Sequence, residues 1–328
     1  MTRYLITGGA GFIGSHLAQA LVRRGHAVVV LDSLSTGRAT NLDPVRAAGG
    51  FEFRQASVLD ELAVDEAVRQ CDVVIHLAAA VGVKLIVEQP LYSLTTNIRG
   101  AISVLQAAHR YRRKVLVTST SEIYGKNGAG PLSETADRIL GSPAVSRWAY
   151  STSKAVDEIL AYAYHRERDL PTIVVRLFNT VGPRQSPAYG MVIPRLVRQA
   201  LAGEDLTVYG DGSQTRCFCH VSDAVEALIG LLDEPRAEGD VFNVGSSEEI
   251  SIGELASRII ERTESSSRIV HVPYDVAYES GFEDMARRVP DTTKINQLIG
   301  WTPKRNLDDI LDDVIAEVRA EQAGDATR

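Results

Sequence analysis

Tyr150 and Lys154 stand four residues apart, a spacing that places both on one face of the helix predicted over Tyr150–Arg168. A phenol with an ordinary pKa near ~10 is a poor base at neutral pH. An ammonium beside it, helped by a cationic nicotinamide ring, favours the phenolate, and Lys154 can also reach a nicotinamide ribose. Upstream, Ser119, Thr120 and Ser121 each offer a hydroxyl able to share a proton with Tyr150, and Glu122 sets a carboxylate beside them. Taken alone, Tyr-x-x-x-Lys describes many surface helices, and a Ser/Thr cluster often only caps a loop. Its weight comes from Gly8-Gly9-Ala10-Gly11-Phe12-Ile13-Gly14, which follows the apolar Tyr4-Leu5-Ile6 and opens the amphipathic segment Ser15–Arg24. Strand, glycine turn and helix start make an anion cradle: Gly8, Gly11 and Gly14 permit close backbone approach, and the N–H groups around Phe12 and Ile13 face the charge. The next apolar run, Ala27–Leu31, ends in Asp32, 18 residues after Gly14. That is near the ~20-residue spacing at which a carboxylate accepts hydrogen bonds from a ribose 2′-hydroxyl. A carboxylate there repels a 2′-phosphate, so the cofactor expected is NAD, with Arg38 the only nearby cation arguing otherwise.

These groups need a scaffold that brings strand ends together, and the first half supplies one by alternating strand-like and helix-like segments. Strands are predicted at Phe51–Arg54, Val73–Ala78, Lys114–Ser119 and Thr172–Leu177, with helices at Leu59–Gln70, Leu91–Tyr111 and Tyr150–Arg168. A polar loop is expected from Asp32 to Gly50, and a long Gly/Pro-bearing loop from Gly125 to Arg147. Ser119–Glu122 then fall at the carboxyl end of a strand, where open parallel sheets hold their ligands. Asn97 sits inside a helical pattern where asparagine gains nothing from propensity, which suits bracing of backbone or a water relay. Past residue 180 the rhythm changes. Helices are expected at Val192–Leu201, Asp223–Leu232, Ile252–Arg262 and onward through Val318, with strands at Leu206–Tyr209, Arg216–Val221, Val241–Gly245 and Ile269–Val272. Ala320–Arg328 are polar and expected to fray. The domains expected are 1–180 for the dinucleotide and 181–328 for a second ligand, with segments around 214–245 returning to the first. Asn179, Arg216 and Arg288 suit diphosphate oxygens, one short amide and two forked cations.

Composition is that of a soluble globular protein, 45% hydrophobic and 23% charged over 328 residues. A formal net charge of −7 argues against nucleic acid or an anionic membrane as partner. No apolar run approaches the ~20 residues of a membrane span, and nothing at the start resembles a signal peptide. Cys71, Cys217 and Cys219 are too few for a disulfide framework, and no metal site is expected. Cys217-Phe218-Cys219 alternates, so both thiols are expected on one side of a strand. The cytoplasm is the compartment expected.

The motifs, in this order, resemble the extended short-chain dehydrogenase/reductases, in particular the nucleotide-sugar epimerases, dehydratases and decarboxylases. The resemblance runs through Thr7–Gly14, His76-Leu77-Ala78-Ala79, Tyr150–Lys154 and Phe178-Asn179-Thr180-Val181-Gly182-Pro183-Arg184. It continues to Ser213-Gln214-Thr215-Arg216 and Gly300-Trp301-Thr302-Pro303. It implies a Rossmann-type doubly wound parallel sheet with a smaller mixed α/β C-terminal substrate domain. It also implies a homodimer through Leu91–Tyr111 and Tyr150–Arg168, and a UDP-sugar substrate. Further cofactor contacts implied are Ser57 and Val58 at the adenine, where the family has Asp-Val, and Leu77, Ala78 and Ala79. Substrate contacts implied are Lys84, Asn179, Val192, Tyr209, Arg216 and Arg288. Ser119–Gly125 is similar to the UDP-glucuronate decarboxylases, as is Arg287–Asp291, where epimerases also place a diphosphate-binding arginine; Tyr189–Val192 departs from the decarboxylases' Asp-Gly-Arg-Val, and Ala80–Pro90 is more like the epimerases. The resemblance therefore implies C4 oxidation, with Tyr150 removing the hydroxyl proton while hydride passes to NAD, decarboxylation of the 4-keto acid, and C4 re-reduction to UDP-xylose or early release of the 4-keto pentose. Glu122 or Arg288 manages protonation at C5. The alternative is a UDP-sugar 4-epimerase. A non-catalytic NAD(H) sensor needs only the glycine turn and Asp32, so the Tyr150/Lys154 pair speaks against it.

Overall fold

A computed structural model describes residues 1–82, 85, 88–128, 130–187, 191–273, 285 and 287–325. Its strands are β1 (Arg3–Thr7), β2 (Ala27–Asp32), β3 (Phe51–Gln55), β4 (Val73–His76), β5 (Lys114–Thr120), β6 (Thr172–Leu177) and β7 (Thr180–Val181). Then follow β8 (Leu206–Tyr209), β9 (Thr215–Cys217), β10 (Cys219–His220), β11 (Asp240–Val244), β12 (Glu249–Ser251) and β13 (Ile269–Val272). Seven of them form one parallel sheet in the order β11-β6-β5-β4-β1-β2-β3. The chain builds outward from β1 through β2 and β3, then returns to the other side with β4, so the topological switch lies between β1 and β4. Ligands sit beyond the carboxyl ends of the strands at such a point. This is a Rossmann-type doubly wound sheet.

Both faces of the sheet are buried, and the two-residue period of the strands divides the apolar side chains between them. Ile6, Val28, Val30, Ile75, Leu116, Ile173, Val175 and Phe242 join one core, shared with the helices Phe12–Arg23 and Val221–Asp233. Leu5, Val29, Leu31, Val74, Val115, Val117, Val174 and Val241 join the other, under the helices Glu61–Arg69, Pro90–Arg110 and Ala149–Arg168. A third core gathers Val192–Leu201, Ile252–Thr263 and Leu307–Asp325 around β8 and β13.

Several elements depart from the sequence reading. The first helix begins at Phe12 rather than Ser15, because the extended Gly11 already serves as its N-cap. The segment between Asp32 and Gly50 is not all loop: it holds a 3-10 turn, Ala39–Leu42, and a short helix, Asp43–Arg46, whose Leu42 and Val45 are buried. The strand expected over Arg216–Val221 breaks at Phe218, since β9 pairs antiparallel with β12 and β10 parallel with β7. Cys217 and Cys219 therefore lie on separate strands. Val221 starts the next helix, capped by the His220 ring, which accepts from the Ser222 backbone. At the far end the helix runs on through Asp325, into the stretch expected to fray. Among the described residues no helix is long and apolar enough to cross a membrane.

Candidate active site

The glycine turn is shaped by what lies behind it. Gly8 has φ +73°, and a Cβ there would stand 2.7 Å from the Ala78 nitrogen, so β1 and the segment after β4 pack backbone to backbone. Gly11 carries no side-chain cap, which leaves the first-turn N–H groups of Phe12, Ile13 and Gly14 facing a cavity of about 490 Å³. That size falls in the ~300–1,000 Å³ range of small-molecule sites. Asp32, at the end of β2, accepts from the Ala10 and Leu34 backbones at 2.9 and 2.8 Å and still borders the cavity. Burial raises its carboxyl pKa, against the lowering by bonds from Leu34, Ala10 and Gly11. The turn after β2 is pinned here, since the Arg38 N–H and the Asn41 amide both donate to the Ala10 carbonyl. A left-handed glycine, an open helix N-terminus and a buried carboxylate at the next strand end fit a dinucleotide, with phosphates on the turn and a ribose on Asp32.

The chemical groups lie across the same cleft. Ser57, Val58, Leu77, Ala78, Ala79, Ser119, Thr120, Ser121, Glu122, Tyr150, Lys154, Asn179 and Arg288 border it together with the residues of the cradle. The three hydroxyls differ in surroundings. Thr120 accepts from the Glu122 N–H at 3.2 Å and so caps the turn Ser121–Tyr124, whereas the buried Ser119 Oγ has no hydrogen-bond partner. Tyr150 is buried, and burial pushes its phenol pKa well up; Glu122 and Asp157 add to this, and Arg147 opposes it.

Glu122 is gripped by Arg147 through two bonds, of 2.5 and 3.0 Å, with the Arg288 guanidinium 3.8 Å away. Burial alone raises the Glu122 pKa, but the charge and hydrogen bonds of Arg147, then Arg288 and Arg216, outweigh it and hold the carboxyl below its ordinary value. A carboxylate held in this way is an acceptor, not a proton donor. Arg288 also donates to the Asn179 side chain at 3.0 Å, which ties the segment after β6 to the acidic end of the cleft.

Other sequence candidates stand apart from the cavity. Asn97 is buried behind it, accepting from the Ala80 N–H at 2.8 Å and donating to Ser153 at 3.1 Å. Arg216 reaches the cleft through its charge on Glu122, while its guanidinium donates to the Thr215 carbonyl. Tyr209 lies under the Arg195 guanidinium at 4.5 Å, and Val192 packs against the third core. Lys84 and the loop residues Tyr189 and Gly190 lie outside the described residues. Conversely, Arg147, Asp157 and His76 were not among the sequence candidates for chemistry. A lone arginine in a loop has no signature; its place three residues before Tyr150, one turn away along the chain, was the only available signal.

With this geometry in view, the comparisons agree. Residues 5–314 match the family described as GDP-mannose 4,6 dehydratase. The chain belongs to that family. Among curated relatives, a UDP-N-acetyl-alpha-D-glucosaminuronate decarboxylase of Bacillus cytotoxicus is 46% identical over 92% of this chain and 92% of its own. UDP-glucuronic acid decarboxylase 1 of Xenopus tropicalis is 35% identical over 97% of this chain and 72% of its own. Of solved structures, the UDP-glucuronic acid 4-epimerase of Bacillus cereus, in complex with UDP-glucuronic acid and NAD, superposes with a TM-score of 0.88. It is 29% identical, covering 97% of this chain and 99% of that one.

Proposed function

We propose that this member of the GDP-mannose 4,6-dehydratase family is an NAD-dependent decarboxylase of UDP-linked uronic acids. One observation carries the reading: beside Tyr150, the cleft ends in an ionised Glu122 flanked by the guanidinium groups of Arg147 and Arg288. Arg288 borders the cleft at this end, and a guanidinium there suits a substrate that brings its own carboxylate. The decarboxylases among the relatives support it, and the epimerase structure supports the shared first step. Residues 1–180, with the returning segments around 214–245, hold the dinucleotide; the remainder of 181–328 holds the nucleotide sugar.

NAD, when bound, supplies a hydride acceptor and donor at sugar C4. The chain's own residues do the rest. Tyr150 takes the C4 hydroxyl proton, and Ser119, whose hydroxyl has no partner in the chain, shares it. The 4-keto acid then loses carbon dioxide, because electrons of the breaking C–C bond drain into the ketone. Glu122, held as a carboxylate, is not the acid that protonates C5; it fixes Arg147 and Arg288 around the sugar's anionic end. The enzyme is read as a cytoplasmic homodimer. Three buried free thiols suit a reducing compartment, and Leu91 and Ile159 leave apolar side chains exposed on the two helices assigned to the interface.

The relatives' names differ at C2, one substrate carrying an acetamido group and the other a hydroxyl. Incubation with NAD and each of UDP-N-acetylglucosaminuronate and UDP-glucuronate, followed by mass analysis, tests both points. A product lighter by carbon dioxide from at least one substrate is expected, and the faster substrate fixes the C2 group. Products of unchanged mass from both would overturn the decarboxylase reading.

A further inference from the structure

The residue that Lys154 meets in this structure is not Tyr150 but Asp157, one helical turn further on. The ammonium donates to Asp157 Oδ2 at 2.7 Å, and both side chains are shut from solvent, at 3% and 0% exposure. Asp157 Oδ1 has no partner. A buried carboxylate this close to a reactive lysine is costly unless it does something for that lysine.

We propose that Asp157 is a positioning residue for Lys154: it fixes the ammonium and, as its counter-ion, sets how much positive charge reaches the Tyr150 hydroxyl. The inference rests on the reading of Tyr150 as the base. An ammonium has three donors. Anchoring one on Asp157 leaves two for a ribose diol, so the anchor aims the lysine without competing with the cofactor. The charge surroundings are few. From the same helix come Tyr150, Asp157 and Glu158, the last engaged by two bonds to Arg176. From β4 comes His76, fully buried, its Nε2 without a partner and its pKa lowered to about 3 by burial and then by Lys154. The turn before the helix supplies Arg147 and the turn after β5 Glu122, with Arg288 and Arg216 beyond it. The helix Pro90–Arg110 meets this group with the neutral Asn97, through Ser153. Within this set, Asp157 is the carboxylate bound to the lysine itself.

Removing its charge therefore has a definite sign. The phenolate loses a repelling neighbour, so the Tyr150 phenol titrates at lower pH. In Asp157→Asn, which keeps an acceptor oxygen for Lys154, the acid limb of the kcat-against-pH profile, set by Tyr150, is expected to move about one pH unit downward. Asp157→Glu is expected to restore the wild-type limb, because it returns the charge. The assay is turnover of whichever UDP-uronate the wild type decarboxylates, across pH 5 to 10, with thermal melting and NAD retention measured alongside. A folded, NAD-retaining Asp157→Asn whose acid limb coincides with that of the wild type overturns the proposal. So does a variant that loses rate equally at every pH, which is what a purely structural role would give. If Asp157→Asn does not fold, the Asp157→Glu and Asp157→Ser profiles decide, charge kept against charge removed: different acid limbs support the proposal and coincident acid limbs overturn it. A wild type with no turnover at all is a separate outcome, since it removes the reading of Tyr150 on which this rests.

Discussion

Tyr150, Glu122 and His76 show how one buried site assigns different protonation states to its members. Burial opposes charge on all three, and only Glu122 has arginines close enough to win back its negative form. Tyr150 keeps its proton in the resting site, so its work as a base depends on the cationic surroundings that form with cofactor and substrate. Tyr150→Phe removes the proton acceptor alone. Its turnover is expected to fall by ~10²–10⁴ while nucleotide-sugar binding, read by calorimetry, stays within about threefold. Near-normal turnover would take Tyr150 out of the chemistry. His76 gives a stability test. Its folded pKa is about 3 against 6.5 for the free side chain. Between those values the unfolded chain takes a proton that the folded chain refuses, so stability falls as pH drops through that window, by ~1.4 kcal/mol per pH unit. His16, lowered to about 4 by burial, acts in the same direction. Urea unfolding at pH 6.5 and 5 should show a smaller pH loss in His76→Gln than in the wild type; equal losses would mean that His76 is protonated in the fold.

At the scale of elements, a polar network locks the catalytic helix to the sheet. Arg176 on β6 donates two bonds to Glu158, at 2.9 and 2.8 Å, and one to the Tyr124 hydroxyl. Tyr124 in turn donates to Asn243 on β11, whose amide reaches the Leu132 and Asp291 carbonyls. The network joins helix Ala149–Arg168, the turn after β5, the edge strand and the late arginine segment. Replacing Arg176 with Met leaves Glu158 charged and buried without its partner, so a loss of about 3–5 kcal/mol is expected in urea unfolding. A loss under about 1 kcal/mol would mean that the pair contributes little. None of this was legible in the sequence, because Arg176 and Asn243 look like ordinary strand residues and their partners are set by tertiary pairing. The strands themselves were legible: runs such as Ala27–Leu31 and Ile173–Val175 are apolar throughout because both faces are covered. The break at Phe218 was not, since an alternating run cannot tell that its two halves join different sheets.

Over the whole molecule, the cleft at the switch between β1 and β4 was readable from Gly8–Gly14, Asp32 and Tyr150–Lys154, because those motifs fix backbone geometry locally. What remained hidden was how charges from distant segments converge. Arg147 reaches Glu122 from 25 residues along the chain, while Arg288 and Arg216 add their charge only once the chain after residue 200 folds back. This convergence reverses the protonation state expected of Glu122. The most direct test is release of labelled carbon dioxide from carboxyl-labelled UDP-N-acetylglucosaminuronate and UDP-glucuronate by the NAD-loaded protein. Labelled gas is expected in step with loss of at least one substrate, and it should fall with Tyr150→Phe. Substrate conversion to the C4 epimer with no labelled gas from either would contradict the decarboxylase reading.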